Sequence, residues 1–290
     1  MFNIAAIRTE HASIPVVVEP DRGVVSVERL VPDWADDAMR LLNSTIGAEL
    51  MDKVAALADD EFVPVDAVEF DAPYRRPRKI WGIGLNYGAH AGDLDSNVPE
   101  EPASFVKGDH TIVGAGDPIV LPEQSRRVTA EAELGLVIGS YCRNVSEEEA
   151  LDYVWGVTPV LDQTAEDILL RNTRFLTRCK NFPTFFSFGP TVTPLSSVRQ
   201  TFHSLNDITV HTVKNGESVR NDDVRNMRFS PAFLVSFHSK IMPLFPGDII
   251  SPGTPGAVSI EDGDVVRCEI PGIGELENPV HRPAASTAPK

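Results

Sequence analysis

Glu131, Glu133 and Asp162 are the residues whose type and spacing point first to chemistry. The glutamates stand in VTAEAELGLVIG, where strand alternation puts both carboxylates on one face and apolar residues follow at once. Two like charges side by side at the edge of a core are costly. A divalent cation between them removes that cost, and hard cations such as Mg²⁺ favour carboxylate and water oxygens. A strand end with both glutamates turned to water fits the same spacing, and spacing does not choose between the two. Asp162 ends the strand-like WGVTPVLD ahead of a helical pattern, a common place for an N-cap aspartate. Beside the glutamate pair, it would complete a three-carboxylate site with open positions for water or substrate.

The elements that must hold these residues read as mostly β. KIWGIGL, ELGLVIGSY and WGVTPVLD are apolar and β-rich. ITVHTVKNGESVRND places Asn215-Gly216 between alternating segments, a strong hairpin signal. Two helical patterns stand out, TAEDILLRNTRFLTR and SPAFLVSFHSKI, the second with Ser230 as N-cap and Pro231 at the first helical position. Ahead of them, IAAIR, IPVVVE and VVSVERL read as short strands, and WADDAMRLLN and GAELMDKVAALA as helical. The expected organisation is a small α+β N-terminal domain over residues 1–72, a β-rich, rolled or barrel-like domain with few helices over 73–283, and a disordered Pro/Ala/Ser-rich tail over 284–290.

Composition narrows the function. A formal net charge of −16 repels phosphate backbones, so nucleic acid and anionic membrane are poor partners. An acidic substrate would then need a local positive centre, which a bound divalent cation supplies. No apolar run is long enough to span a bilayer, and MFNIAAIRTEHASIP does not read as a signal peptide. Cys142, Cys179 and Cys268 lie far apart without a C-x-x-C pair, which argues for small buried side chains in a reducing compartment. The expected location is the cytoplasm.

An ordered series of short motifs gives a more specific reading: GLNYGAH, PASFVK, EAELGLVIG, LDQTAED, KNFPTFFSFGP, PGDII, GTPG and GIGELENPV. Together, over roughly residues 80–280, they resemble the fumarylacetoacetate hydrolase superfamily. The resemblance implies that Glu131, Glu133 and Asp162 bind Mg²⁺ or Mn²⁺, which would hold a small 2-oxo acid and act as Lewis acid on the developing charge. It makes Lys180 a catalytic ammonium beside the metal. It makes His90, oriented by Asp93, the group that activates water in hydrolytic members. Thr254 and Tyr87 would contact or shape the substrate site. A homodimer or dimer of dimers is expected.

Two departures bear on the substrate. Asp93 stands where the family pair carries Glu. Glu166 stands where many members carry an arginine that contacts the far end of the substrate, so Arg171, Arg174 or Arg178 would have to reach in, and Arg178 is the candidate retained. The implied function is hydrolysis of a C–C bond in an acylpyruvate or other 2,4-diketo acid. Oxaloacetate-type decarboxylation, keto–enol tautomerisation or isomerisation on the same site, and a non-catalytic binding protein, are the alternatives.

Overall fold

Two long strands, Val128–Ile138 and Val154–Ala165, form the antiparallel pair on which the rest of the fold is assembled. The computed structural model describes residues 2–32, 38–42, 50, 52–88 and 99–284. Every residue of Val128–Ile138 is buried, and only Trp155 of its partner is partly exposed. Burial on both faces accounts for the near-continuous apolar runs in their sequences.

One face carries Ala130, Ala132, Leu134, Leu136 and Leu161 into the largest hydrophobic cluster. The five-stranded sheet of Glu217–Asp223, Thr209–Lys214, Val265–Ile270, Gly274–His281 and Ile119–Val120 packs over this face, contributing Val210, Val266, Leu276 and Ile119. Each fully buried leucine or isoleucine there contributes ~1.5–3 kcal/mol. Asn215 and Gly216 have φ of 51° and 84°, the pair of positive values that a two-residue hairpin turn needs, and join Thr209–Lys214 to Glu217–Asp223 as expected.

The central pair is extended on both sides into a mixed, thirteen-stranded sheet. Ile249–Ser251 and Val258–Ile260 pair with Val128–Ile138, while Phe186–Phe188 and Thr191–Pro194 pair with Val154–Ala165. Ile80–Gly84 lies parallel to Ile249–Ser251, and Ala103–Lys107 is antiparallel to Ile80–Gly84. The architecture is the expected β-rich one, but the roll stays open: neither sheet's strand order closes on itself.

The N-terminal strands Asn3–Arg8, Ser13–Glu19 and Gly23–Ser26 form a meander joined to this sheet through Ile4↔Val192 and Ala5↔Thr191. Their apolar residues pack with Val137 and Val160, on the central pair's second face. Two segments differ from the sequence reading. VVSVERL divides after Ser26, whose hydroxyl accepts a hydrogen bond from the Arg29 amide and starts a helix at Val27–Leu30. TAEDILLRNTRFLTR is not one helix: the strand runs through Ala165, and helices Glu166–Arg171 and Leu176–Lys180 follow, separated by a turn. Pro231–Ile241 is helical as expected, with Ser230 Oγ accepting from the Phe233 amide at 3.1 Å. Among the described residues, no helix is long and apolar enough to cross a membrane.

Candidate metal centre

Strand register brings the three carboxylates together. Asp162 is not a helix cap; it lies within its strand, directly opposite Glu131, and Glu133 opposes Val160 two pairs along. Residues directly opposite in an antiparallel pair share a face, as do residues two apart. Glu131, Glu133 and Asp162 are all buried, and each offers an oxygen within 4.8 Å of the others. The water-facing reading of the glutamates therefore fails.

Two lysines face these carboxylates. Lys180, at the end of Leu176–Lys180, donates to Glu131 Oε2 at 2.9 Å and Asp162 Oδ2 at 2.6 Å. Its ammonium also sits 4.7 Å from the centre of the Phe105 ring, a cation–π contact. Lys107, at the end of Ala103–Lys107, is fully buried, pairs with Asp162 Oδ1 and donates to the Gln163 carbonyl at 3.1 Å. With all of them ionised, three carboxylates against two ammoniums would leave one excess negative charge in an apolar interior.

Glu133 bears most of that excess. It accepts from Ser251 Oγ at 2.5 Å and the Gly253 amide at 2.9 Å. Burial, followed by repulsion from Asp162, nevertheless pushes its pKa up to about 8. Glu131 Oε1 accepts from Thr164 Oγ1 at 2.6 Å and Thr129 Oγ1 at 3.3 Å. Lys180 is raised above its ordinary value: burial opposes the charge, but Asp162 and Glu131 outweigh it. Lys107 is lowered, because burial dominates and Lys180 repels it. An oxygen-only donor set of three clustered carboxylates with surplus negative charge suits a hard divalent cation. The residues fit Mg²⁺ or Mn²⁺ held by Glu131, Glu133 and Asp162.

A cavity of about 180 Å³ opens onto Glu131 and Lys180. Phe105, Leu169, Leu176 and Ala257 give it mostly apolar walls, with Thr129, Thr164 and Glu166 as further polar lining. Other candidate residues lie elsewhere. Tyr87 is fully buried against Met227, and burial raises its pKa, keeping the phenol protonated. The Thr254 hydroxyl is used within its own turn, donating to the Gly256 carbonyl and accepting from the Gly256 amide, both at 3.3 Å. Arg178 is exposed and donates to Gln124 Oε1 at 3.3 Å, and Arg171 donates to Asp167 at 3.3 Å; neither lines the cavity. His90 and Asp93 lie outside the described residues. Burial raises the thiols of Cys142, Cys179 and Cys268 to about 11, 11 and 12, which makes them poor nucleophiles.

Sequence reasoning missed Lys107, Ser251 and Thr164. PASFVK carried a signal: in alternation Phe105 and Lys107 share a face, and a lysine on an otherwise apolar face calls for a buried anion. Nothing local marked Ser251, which reaches Glu133 across a pairing 118 residues apart in sequence.

The family profile described as fumarylacetoacetate (FAA) hydrolase C-terminal matches residues 79–281, and the chain belongs to this family. An uncharacterised protein of Archaeoglobus fulgidus is 41% identical over 217 residues, 74% of this chain and 83% of that protein. A mitochondrial oxaloacetate tautomerase of Xenopus laevis is 37% identical over 218 residues, 72% of this chain and 67% of that one. Among solved structures, maleylpyruvate hydrolase from Sphingobium sp. SYK-6, in complex with manganese(II) and pyruvate, superposes with a TM-score of 0.79 at 25% identity, covering 98% of this chain and 100% of that one.

Proposed function

We propose that the chain is a divalent-metal-dependent keto–enol tautomerase of a small 2-oxo acid. The observation that carries this reading is the Lys180 ammonium, which lines the cavity while its charge is held by Glu131 and Asp162. Mg²⁺ or Mn²⁺ on Glu131, Glu133 and Asp162 would supply a Lewis acid for the carboxylate and ketone oxygens of the substrate. Lys180 keeps its proton at neutral pH, so it serves as a donor to the oxygen on which charge develops rather than as a base. Phe105, Leu169 and Leu176 exclude water beside it and strengthen that interaction. Solvent water entering the open cavity takes the C3 proton and returns it, so no bound nucleophile is required, and the 37% identical relative is named for a tautomerase.

The test is C3 hydrogen–deuterium exchange of an enolisable 2-oxo acid, followed by NMR with Mg²⁺ or Mn²⁺. Metal-dependent exchange that falls ~10²–10³-fold in Lys180→Met is expected, the usual cost of removing an oxyanion donor. Exchange at the uncatalysed rate with metal bound would overturn the reading.

C–C hydrolysis is the second reading. The His90–Asp93 pair and the likeness to maleylpyruvate hydrolase favour it. Pyruvate released from an acylpyruvate, with kcat lowered ~10²–10⁴-fold in His90→Ala, would decide for it. Decarboxylation draws on the same stabilisation of an enolate and would appear as CO₂ release from oxaloacetate.

A further inference from the structure

We infer that the substrate of this site is a monocarboxylic 2-oxo acid with a short apolar tail, and that Glu166 discriminates against a second carboxylate at the far end. The inference rests on the 2-oxo acid reading above and deepens it. The cavity, with a volume of about 180 Å³, has room for a small acid. One carboxylate and the ketone are accounted for at the metal-ligand end, beside Glu131 and Lys180. What remains for the tail is mainly Leu85, Ala103, Leu169, Leu176 and Ala257, all partly exposed, with Thr173 as an exposed polar neighbour.

Among the described residues, the charged side chains lining the cavity are Glu131, Lys180 and Glu166. Lys180 is committed to Glu131 and Asp162. Glu166 is buried in the wall, where its partner is the guanidinium of Arg127, which it holds from the outer side. A distal carboxylate would therefore lose water against leucine side chains, meet a like charge, and have to compete with Glu166 for Arg127. An alkyl tail meets none of these costs and gains apolar contact. Arg220 lies against Gly256, next to Ala257, but is not part of the lining.

The experiment compares 2-oxopentanoate with 2-oxoglutarate, acids of equal chain length that differ in a terminal methyl or carboxylate. Binding to the Mn²⁺-loaded protein is measured by calorimetry, and C3 exchange by NMR. We expect 2-oxopentanoate to bind at least ~10-fold more tightly, a difference of ~1.4 kcal/mol. Glu166→Gln should release Arg127 and shift the ratio of the two affinities several-fold toward 2-oxoglutarate. Leu169→Lys, at the partly exposed mouth, should shift the ratio the same way without touching the buried wall. Equal or tighter binding of 2-oxoglutarate by the unmodified protein, above all if Arg220→Ala abolished it, would overturn the inference. So would a ratio that neither variant moves, or failure of both acids to bind. Binding in the expected order without C3 exchange would instead count against the tautomerase reading alone.

Discussion

Lys107 contributes both to stability and to the charge balance of the centre. It stands with Lys180 against three carboxylates, and each buried ion costs several kcal/mol that only close pairing offsets. Replacing Lys107 with Met leaves Asp162 with one ammonium partner and raises the surplus negative charge. The metal-free protein should lose ~3–5 kcal/mol, the range for breaking a buried pair. Mn²⁺ affinity should rise, because a like charge beside the ligands is gone. Denaturant titration with and without Mn²⁺ checks both, and a variant with unchanged metal-free stability would show the pair to be worth little.

Glu133 gives the residue-level pH dependence. Its folded pKa of about 8 lies above the ordinary 4.5, so between these values the folded state binds more protons than the unfolded state. Stability from this group therefore falls as pH rises from about 4.5 to about 8 and is flat above. Glu133→Gln lacks that slope. The stability difference between variant and unmodified protein should tilt toward the variant across this window, in thermal melts without metal. Parallel curves would refute the assignment.

At the scale of elements, close packing between strands sets the cavity wall. Gly82 in Ile80–Gly84 pairs with Phe105, and a Cβ added at Gly82 would meet Phe105 Cζ at 2.2 Å. Phe105 lines the cavity and faces the Lys180 ammonium. Gly82→Ala must push the ring away, at ~1–3 kcal/mol for an overpacked core. A lowered melting temperature together with altered KM is expected, because the displaced ring is also the wall. A lowered melting temperature with unchanged KM would mean that the strand moves as a unit and leaves the cavity intact. Asn86 ties the next segment down: its Nδ2 donates to the Phe229 and Pro252 carbonyls at 3.0 and 2.7 Å, and its Oδ1 accepts from the Phe229 amide at 2.8 Å. That clamp holds the turn whose Gly253 amide donates to Glu133, which gives the Asn of GLNY a positioning role.

Over the whole molecule, the central strand pair has two faces with different tasks. One is apolar and packs under the five-stranded sheet, contributing stability. The other is covered by N-terminal residues around Val137 and Val160 and carries the carboxylates beside them. The burial that makes the fold stable is thus also what raises Glu133 and keeps two lysines beside acidic groups.

The sequence by itself determined the β-rich class, the Asn215-Gly216 hairpin, the Ser230-capped helix and the same-face glutamate pair. Each follows from local rules: strand alternation, φ > 0 at a turn, and a side chain reaching its own helix start. The eight ordered motifs added the family. Only the tertiary structure decided that Asp162 lies in a strand facing Glu131 rather than capping a helix. It alone placed Lys107 in the cluster, made Ser251 a donor to Glu133, and turned Arg178 toward Gln124 and Glu166 into the cavity wall. These are outcomes of strand register and of contacts between residues far apart in the chain. A one-residue change of register would send every side chain to the opposite face, and no local pattern encodes which register the packed core selects.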